Sequence, residues 1–206
     1  MKVQDIYLTR RANRPPAGAV AWRVAICGLM AAALAACGSS TSVDTIANPE
    51  NPTEVVLFDF TDQDIRNPSA FDVVGSSAVR LDSNTRWDFI FLIRRDGTAQ
   101  LQPRGAVLEL NTLDSGLLQM TLPFDEIRDA PVAGYERVRA VTIEEGDVLT
   151  VQSQRDAFLE PNRCRRYGKL EILSIDAAAG TLTMQHLINP NCENRNLIAG
   201  AAIPIE

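Results

Sequence analysis

Few side chains in this sequence can do chemistry, and the histidine count sets the first limit. The chain has one histidine, His186, which excludes every metal or haem site that needs two imidazoles. A nucleophilic serine or cysteine would also have to use His186, yet no Gly-x-Ser-x-Gly turn is present to hold such a serine. Asp59, Asp62 and Asp64 lack the glycine and glutamate of an EF-hand, so no metal site is predicted. No residue pattern indicates an enzyme.

The N-terminal segment reads as a secretion signal. Basic residues up to Arg23 precede Val24 to Ala36, a run of thirteen apolar or small residues. As a helix this run reaches about 20 Å, which is short of the ~30 Å hydrocarbon core of a membrane. Residues 1–36 are therefore interpreted as a signal peptide rather than a membrane span.

The end of this signal contains a lipidation motif. Leu34 to Cys37 resembles the lipobox of bacterial lipoproteins, in which the cysteine is acylated and becomes the new N-terminus. An ordinary cleavage site is the alternative, but the Gly/Ser/Thr tether from Gly38 to Ser42 favours an anchored domain. Residues 37–53 are thus read as the lipidated cysteine and a flexible linker. Glycine rather than aspartate after Cys37 favours the outer membrane of the bacterial envelope, on either its periplasmic or its surface side.

The remaining cysteines predict a disulfide. Cys27 leaves with the signal and Cys37 is acylated, so Cys164 and Cys192 form the one pair left. An exported chain meets an oxidising compartment, and no third thiol competes for either partner. Neither cysteine has the spacing of a redox or zinc motif. We therefore expect a structural disulfide between Cys164 and Cys192.

Charge and composition exclude some classes of partner. The signal contains five of the 20 basic residues and one of the 26 acidic residues, so the rest is more acidic than the whole-chain net charge of −6. An acidic surface repels phosphate backbones, which excludes nucleic acid as a partner. A hydrophobic fraction of 46% with 22% charged residues indicates a globular core.

Beyond the linker, residues 54–206 read as a single all-β domain. Short runs rich in Val, Ile, Leu and Phe are separated by Gly, Pro, Asn or Asp every eight to twelve residues or so, as in an antiparallel β-sandwich or a partly open barrel. The predicted strands are Glu54 to Phe60, Ala78 to Asp82, Arg86 to Arg94, Thr98 to Gln102, Ala106 to Leu110, Leu117 to Leu122, Arg137 to Ile143, Val148 to Ser153, Tyr167 to Ile175, Thr181 to Ile188 and Leu197 to Ile205.

Two turns predict hairpins. Asp96-Gly97 between two apolar runs is a strong short hairpin signal, and Gly180 closes a second hairpin between the last two long runs. The second hairpin would place both cysteines of the disulfide just outside its open end. The run from Trp87 to Ile93 is apolar on both faces, which predicts a central strand in which Asp88 needs a partner.

The order of several short motifs resembles the HmuY-like lipoproteins, a haem-scavenging family with an all-β fold. The motifs are a Trp-Asp-Phe-Ile-Phe strand at Trp87, an irregular stretch from Pro123 to Pro131, Gly134-Tyr135, and a Tyr-Gly-Lys strand at Tyr167. The similarity spans about residues 54–188. It implies a haem ligand. The expected partner, besides the membrane, is either haem or an outer-membrane receptor protein.

The resemblance directs attention to side chains that can ligate iron. Met184 and His186 lie two residues apart on a predicted strand and therefore project to one face. An opposite axial ligand would come from elsewhere, with Met120 the better candidate, and Tyr135 and Tyr167 are further oxygen donors. The alternative is that Met184 fills a core gap, His186 makes one hydrogen bond at the strand end, and the tyrosines border the core.

These observations lead to two functional expectations. The first is an exported, membrane-anchored, non-enzymatic lipoprotein that binds a small ligand, with haem implied by the resemblance. The second is an envelope lipoprotein that has a structural or protein-interaction role and no small ligand. The two differ in whether Met120, Met184 and His186 converge on one cavity.

Overall fold

A computed structural model describes residues 46–61, 64–109, 115–155 and 164–202. The predicted signal, Cys37 and the first part of the linker lie outside these described residues.

Ten strands make up almost all of the regular structure among the described residues. They are β1 (Thr53–Phe58), β2 (Ala70–Asp72), β3 (Ser77–Val79), β4 (Phe89–Ile93), β5 (Ala99–Pro103), β6 (Gly116–Met120), β7 (Val141–Thr142), β8 (Val148–Gln152), β9 (Tyr167–Asp176) and β10 (Thr181–Ile188). One short helix, α1 (Arg104–Val107), follows β5, and a 3₁₀ turn covers Phe124–Glu126.

The strands form two antiparallel sheets of five strands each. Sheet A has the order β1-β10-β9-β8-β6, and sheet B has the order β3-β2-β4-β5-β7. Along one side of the sandwich, backbone hydrogen bonds join the end of β1 in sheet A to the chain of sheet B. They run from Phe58 N–H to Pro68 O and from Phe60 N–H to Phe91 O, each 2.9 Å. The sheets do not close into a barrel, so the prediction of an all-β sandwich is confirmed.

Both predicted hairpins are present. β4 and β5 pair across the Asp96-Gly97 turn, where Gly97 has a φ of 83°. β9 and β10 pair across the turn that ends at Gly180, whose φ is 66°. Glycine has no Cβ and adopts such left-handed angles without strain, which is why the two turns are readable from sequence.

Sheet A buries side chains on both faces. Its inner face contributes Leu57, Leu149, Leu170 and Leu182 to the main core between the sheets. Its outer face is covered by the chain around Phe124 to Tyr135, which forms a second, smaller core.

Lys169 on β9 holds the segment from Phe124 to Tyr135 against the outer face of sheet A. Its Nζ donates hydrogen bonds to the carbonyl oxygens of Phe124 at 2.9 Å and Ile127 at 3.1 Å. It also lies 4.6 Å from the centre of the Phe124 ring. Burial lowers the pKa of the Lys169 ammonium, and the nearby charge of Asp125 opposes that shift.

Four predicted strands differ from the structure. Of the run Ala78 to Asp82, only Ala78 and Val79 lie in a strand. Residues 104–107 form helix α1 instead of part of a strand from Ala106 to Leu110. Only Val141–Thr142 of the run Arg137 to Ile143 is a strand. Of the predicted strand Leu197 to Ile205, the described part up to residue 202 contains no strand. Short apolar runs fit a buried turn or helix as well as a strand, because periodicity alone does not separate them.

The two ends of the sandwich have different features. At one end, Ile46 N–H donates to Asn191 Oδ1 at 2.9 Å and Asn48 N–H donates to Ala201 O at 3.0 Å. We call this the proximal end, because the chain joins the fold there. At the opposite, distal end, Asp59 accepts from Ile93 N–H and donates its own N–H to Gly180 O, which brings both hairpin turns together.

Candidate functional site

Met184 and His186 share one face of β10, as predicted, and that face points into the sandwich. Met184 has 0% exposed surface and belongs to the main core. His186 is 2% exposed, and its ring lies edge-on to Phe71 with the ring centres 4.9 Å apart. Both side chains are therefore packed between the sheets.

Met120 lies on the other side of sheet A. It packs into the second core, and Thr150 Oγ1 donates a hydrogen bond to its sulfur at 3.6 Å. Tyr135 and Tyr167 belong to the same second core. The structure thus places Met120 with the two tyrosines, and it separates all three from Met184 and His186 by the thickness of a β-sheet.

This separation decides how the predicted iron ligands fit a haem. Two axial ligands must approach one iron from opposite sides of a porphyrin, whereas Met120 and Met184 project from opposite faces of the same sheet. Surface grooves of about 190, 350 and 390 Å³ lie among the described residues, and Met120, Met184 and His186 line none of these particular grooves. The three predicted ligands do not fit a shared haem.

The predicted disulfide is present between Cys164 and Cys192, whose Cα atoms are 5.0 Å apart. Cys164 lies three residues before β9 and Cys192 lies four residues after β10, so the bond closes the open end of the hairpin that these strands form. Cys164 is buried, whereas Cys192 is exposed. The bond lies at the proximal end of the sandwich, beside Asn189 and Asn191.

His186 has a partner that the sequence analysis missed. Its Nε2 lies 3.0 Å from Oγ of Ser76, a residue of the turn between β2 and β3. Burial lowers the pKa of the His186 imidazole, although a hydrogen bond with the backbone of Ser76 acts in the opposite direction. Its Nδ1 has no hydrogen-bond partner among the described residues. The Val-Gly-Ser-Ser sequence indicates a turn, but it contains no signal that the turn meets His186.

Asp88 is a buried carboxyl group, 1% exposed, whose pKa is strongly raised. Its two oxygens accept hydrogen bonds from Val73 N–H at 2.8 Å and from Gln154 N–H at 2.7 Å. Burial raises its pKa to about 7, and the two backbone hydrogen bonds oppose that rise. Asp88 therefore joins sheet B to the end of β8 in sheet A, which supplies the partner that the sequence required.

The distal end exposes apolar side chains beside carboxylates. Phe60 is 44% exposed and Ile65 is 69% exposed, and both line the groove of about 190 Å³. Asp59, Asp64 and Asp82 line the same groove. This volume is below the roughly 300 Å³ at which small-molecule pockets usually begin, so the groove suits part of a macromolecular surface better than a whole small ligand.

In the part of the chain that the structure describes, no group of three or more His, Cys, Asp or Glu residues is arranged to hold a metal ion. No helix among these same residues is long and apolar enough to cross a membrane.

Comparison with known proteins gives no family. No family model, no curated protein and no solved structure matches this chain.

Proposed function

We propose that this chain is an exported lipoprotein of the bacterial envelope, acylated at Cys37, whose β-sandwich recognises a protein partner and performs no catalysis as its main role. The observation that carries the proposal is the placement of the two ends. The chain joins the fold at Ile46, where Asn191 holds it at the proximal end, and the hairpin turns project from the other end.

An anchor at Cys37 supports a definite orientation. Ile46 lies nine positions after Cys37, and a fully extended chain of that length spans at most about 30 Å. A domain on so short a tether keeps its proximal end toward the membrane. The distal end, with exposed Phe60 and Ile65, then faces away from the bilayer and is free to meet another protein.

Lipidation is tested by metabolic labelling with a palmitate analogue. The wild type should carry the label and partition into detergent, whereas Cys37→Ser should do neither. Cys27→Ser is the matched control, because that cysteine lies inside the signal and should leave labelling intact. An unlabelled wild type in the aqueous phase would remove the anchor from the proposal.

Recognition through the distal end is tested by photo-crosslinking in cells. A photoreactive phenylalanine analogue at position 60 or 65 should crosslink one discrete protein, and the same analogue at Asn194 of the proximal end should not. Equal crosslinking from both ends, or none from position 60 or 65, would contradict the assignment.

Haem binding, which the resemblance implies, has its own test. Purified domain is titrated with haemin while the Soret band is followed. Because Met120 and Met184 lie on opposite faces of sheet A, we expect no saturable one-to-one shift from a site that they share. A shift that saturates at one equivalent, and that Met120→Ala and Met184→Ala both weaken, would restore a shared small-ligand site.

A further inference from the structure

The turn between β2 and β3 holds a serine in a strained backbone conformation. Ser76 has a φ of 51°, in the left-handed region that residues other than glycine seldom adopt. The turn is also tight, since a Cβ at Gly75 would lie 2.6 Å from Oδ2 of Asp72. Ser76 itself is exposed to solvent. A strained, exposed residue of this kind is an observation from which a functional hypothesis can start.

A base from the other sheet reaches this serine. His186 projects from the inner face of β10, and its Nε2 lies 3.0 Å from Ser76 Oγ, although 110 residues separate the two along the chain. The edge-on Phe71 ring holds the imidazole from one side. Burial lowers the His186 pKa below its usual 6.5, so the imidazole is neutral at pH 7. In the tautomer that carries its proton on Nδ1, Nε2 can accept the serine proton.

We propose that Ser76 is a nucleophile activated by His186, and that it reacts with activated acyl or phosphonyl compounds such as carboxylic esters of good leaving groups. This reactivity goes beyond the recognition role and does not depend on it. The combination is that of a serine with an adjacent general base, here built from a β-turn and a strand of the opposite sheet.

The proposed step is balanced within the pair and its substrate. Ser76 Oγ forms a bond to the carbonyl carbon while its proton passes to His186 Nε2. The carbon–oxygen bond to the leaving group then breaks, and the departing oxygen takes that proton from the imidazolium. The products are an ester on Ser76 and an alcohol, with His186 neutral again.

His186 Nδ1 has no hydrogen-bond partner among the described residues, and this affects the expected rate of acylation. In a triad a third group orients the base, whereas here the packing of Phe71 does so. We therefore expect slow, stoichiometric acylation rather than rapid turnover.

A fluorophosphonate probe tests the proposal on the purified full-length chain. Attack forms a bond from Ser76 Oγ to phosphorus and releases fluoride, while the serine proton goes to His186 and then to solvent. Intact mass and peptide mapping should find one adduct, on Ser76. Ser76→Ala should abolish it, and Ser77→Ala, which changes the neighbouring exposed serine, should not.

The role of His186 is read from rate and pH. His186→Gln should slow labelling by about 100-fold, the lower end of what a general base contributes. Wild-type labelling should fall as pH drops through the His186 pKa, which a merely structural hydrogen bond would not cause. Because the chain has one histidine, ¹⁵N NMR of its ring gives that pKa directly and shows whether Nε2 is the unprotonated nitrogen. The pH profile decides the matter even if His186→Gln fails to fold.

Three results would overturn the proposal. The first is the absence of an adduct on Ser76 in the folded protein. The second is labelling that is independent of pH across the His186 titration. The third is a ring whose Nε2 carries the proton at neutral pH and donates it to Ser76.

Discussion

Replacing Asp88 by asparagine should change how the stability of the fold depends on pH. Asp88 is 1% exposed, and burial raises its pKa from 3.8 to about 7. Between these two values the folded protein keeps a proton that the unfolded chain has released. The free energy of unfolding therefore falls as pH rises from about 4 to about 7, and the loss persists at higher pH.

The size of the effect follows from the two pKa values. A difference of about three pK units corresponds to about 4 kcal/mol when the titration is complete. Between pH 5 and pH 8 the wild type should lose about 2.5 kcal/mol through this group. Asparagine does not titrate, so this part of the pH dependence should disappear in Asp88→Asn.

Asparagine also changes a hydrogen bond. Both oxygens of Asp88 accept from backbone N–H groups of Val73 and Gln154, and the amide nitrogen of asparagine cannot accept. The variant should therefore be less stable than the wild type at pH 5, by about 1–3 kcal/mol for the lost acceptor. At pH 8 this deficit should vanish or change sign, because the wild type then carries the cost of a buried charge.

The assay is urea unfolding at pH 5, 6, 7 and 8, with the difference between variant and wild type plotted against pH. Asp96→Asn is the control, because Asp96 lies exposed in the β4–β5 turn with a pKa below its usual value and does not titrate in this range. A difference between Asp88→Asn and wild type that stays constant from pH 5 to pH 8 would refute the reasoning. It would mean that Asp88 is ionised throughout.

Three further predictions concern packing around the β9–β10 hairpin. Replacing Cys164 and Cys192 together by alanine should lower the free energy of unfolding by about 3.5 kcal/mol, the loop-closure value for a separation of 28, and dithiothreitol should lower wild-type stability similarly in urea melts. Gly168→Ala should lower the free energy of unfolding by about 1–3 kcal/mol, because a Cβ there would contact the Ile188 side chain and lie 2.9 Å from Leu187 O. Thermal melts measure this loss, and an unchanged melting temperature would contradict the close approach. Lys169→Met should leave the carbonyl oxygens of Phe124 and Ile127 without their donor and lower the free energy of unfolding by about 1–3 kcal/mol. Amide hydrogen exchange in residues 124–136 should become faster. Unchanged exchange would show that Lys169 does not hold this segment against sheet A.

Local signals in the sequence determined the hairpins and much of the strand pattern. The Asp96-Gly97 and Gly180 turns require backbone angles that glycine supplies, and each joins two apolar runs, so both hairpins were predictable without the fold. The disulfide followed from counting thiols, because only Cys164 and Cys192 were left to pair.

Other elements depended on contacts that no local pattern contains. β2 has only three residues, all buried, and it is a strand because β3 and β4 pair with its two edges. Helix α1 and residues 197–202, which contain no strand, carry the same kind of short apolar run as true strands. Tertiary packing decided the conformation of these described residues.

The candidate site shows the same division. The two-residue period of a strand already placed Met184 and His186 on one face, since side chains alternate along any strand. Alternation does not say which face is inward, and that was decided when sheet B packed against sheet A. The same packing placed Met120 on the opposite face and brought Ser76 to His186 across 110 residues of chain. Distances between residues so far apart in sequence are properties of the packed sheets, and for that reason only the tertiary structure decided them.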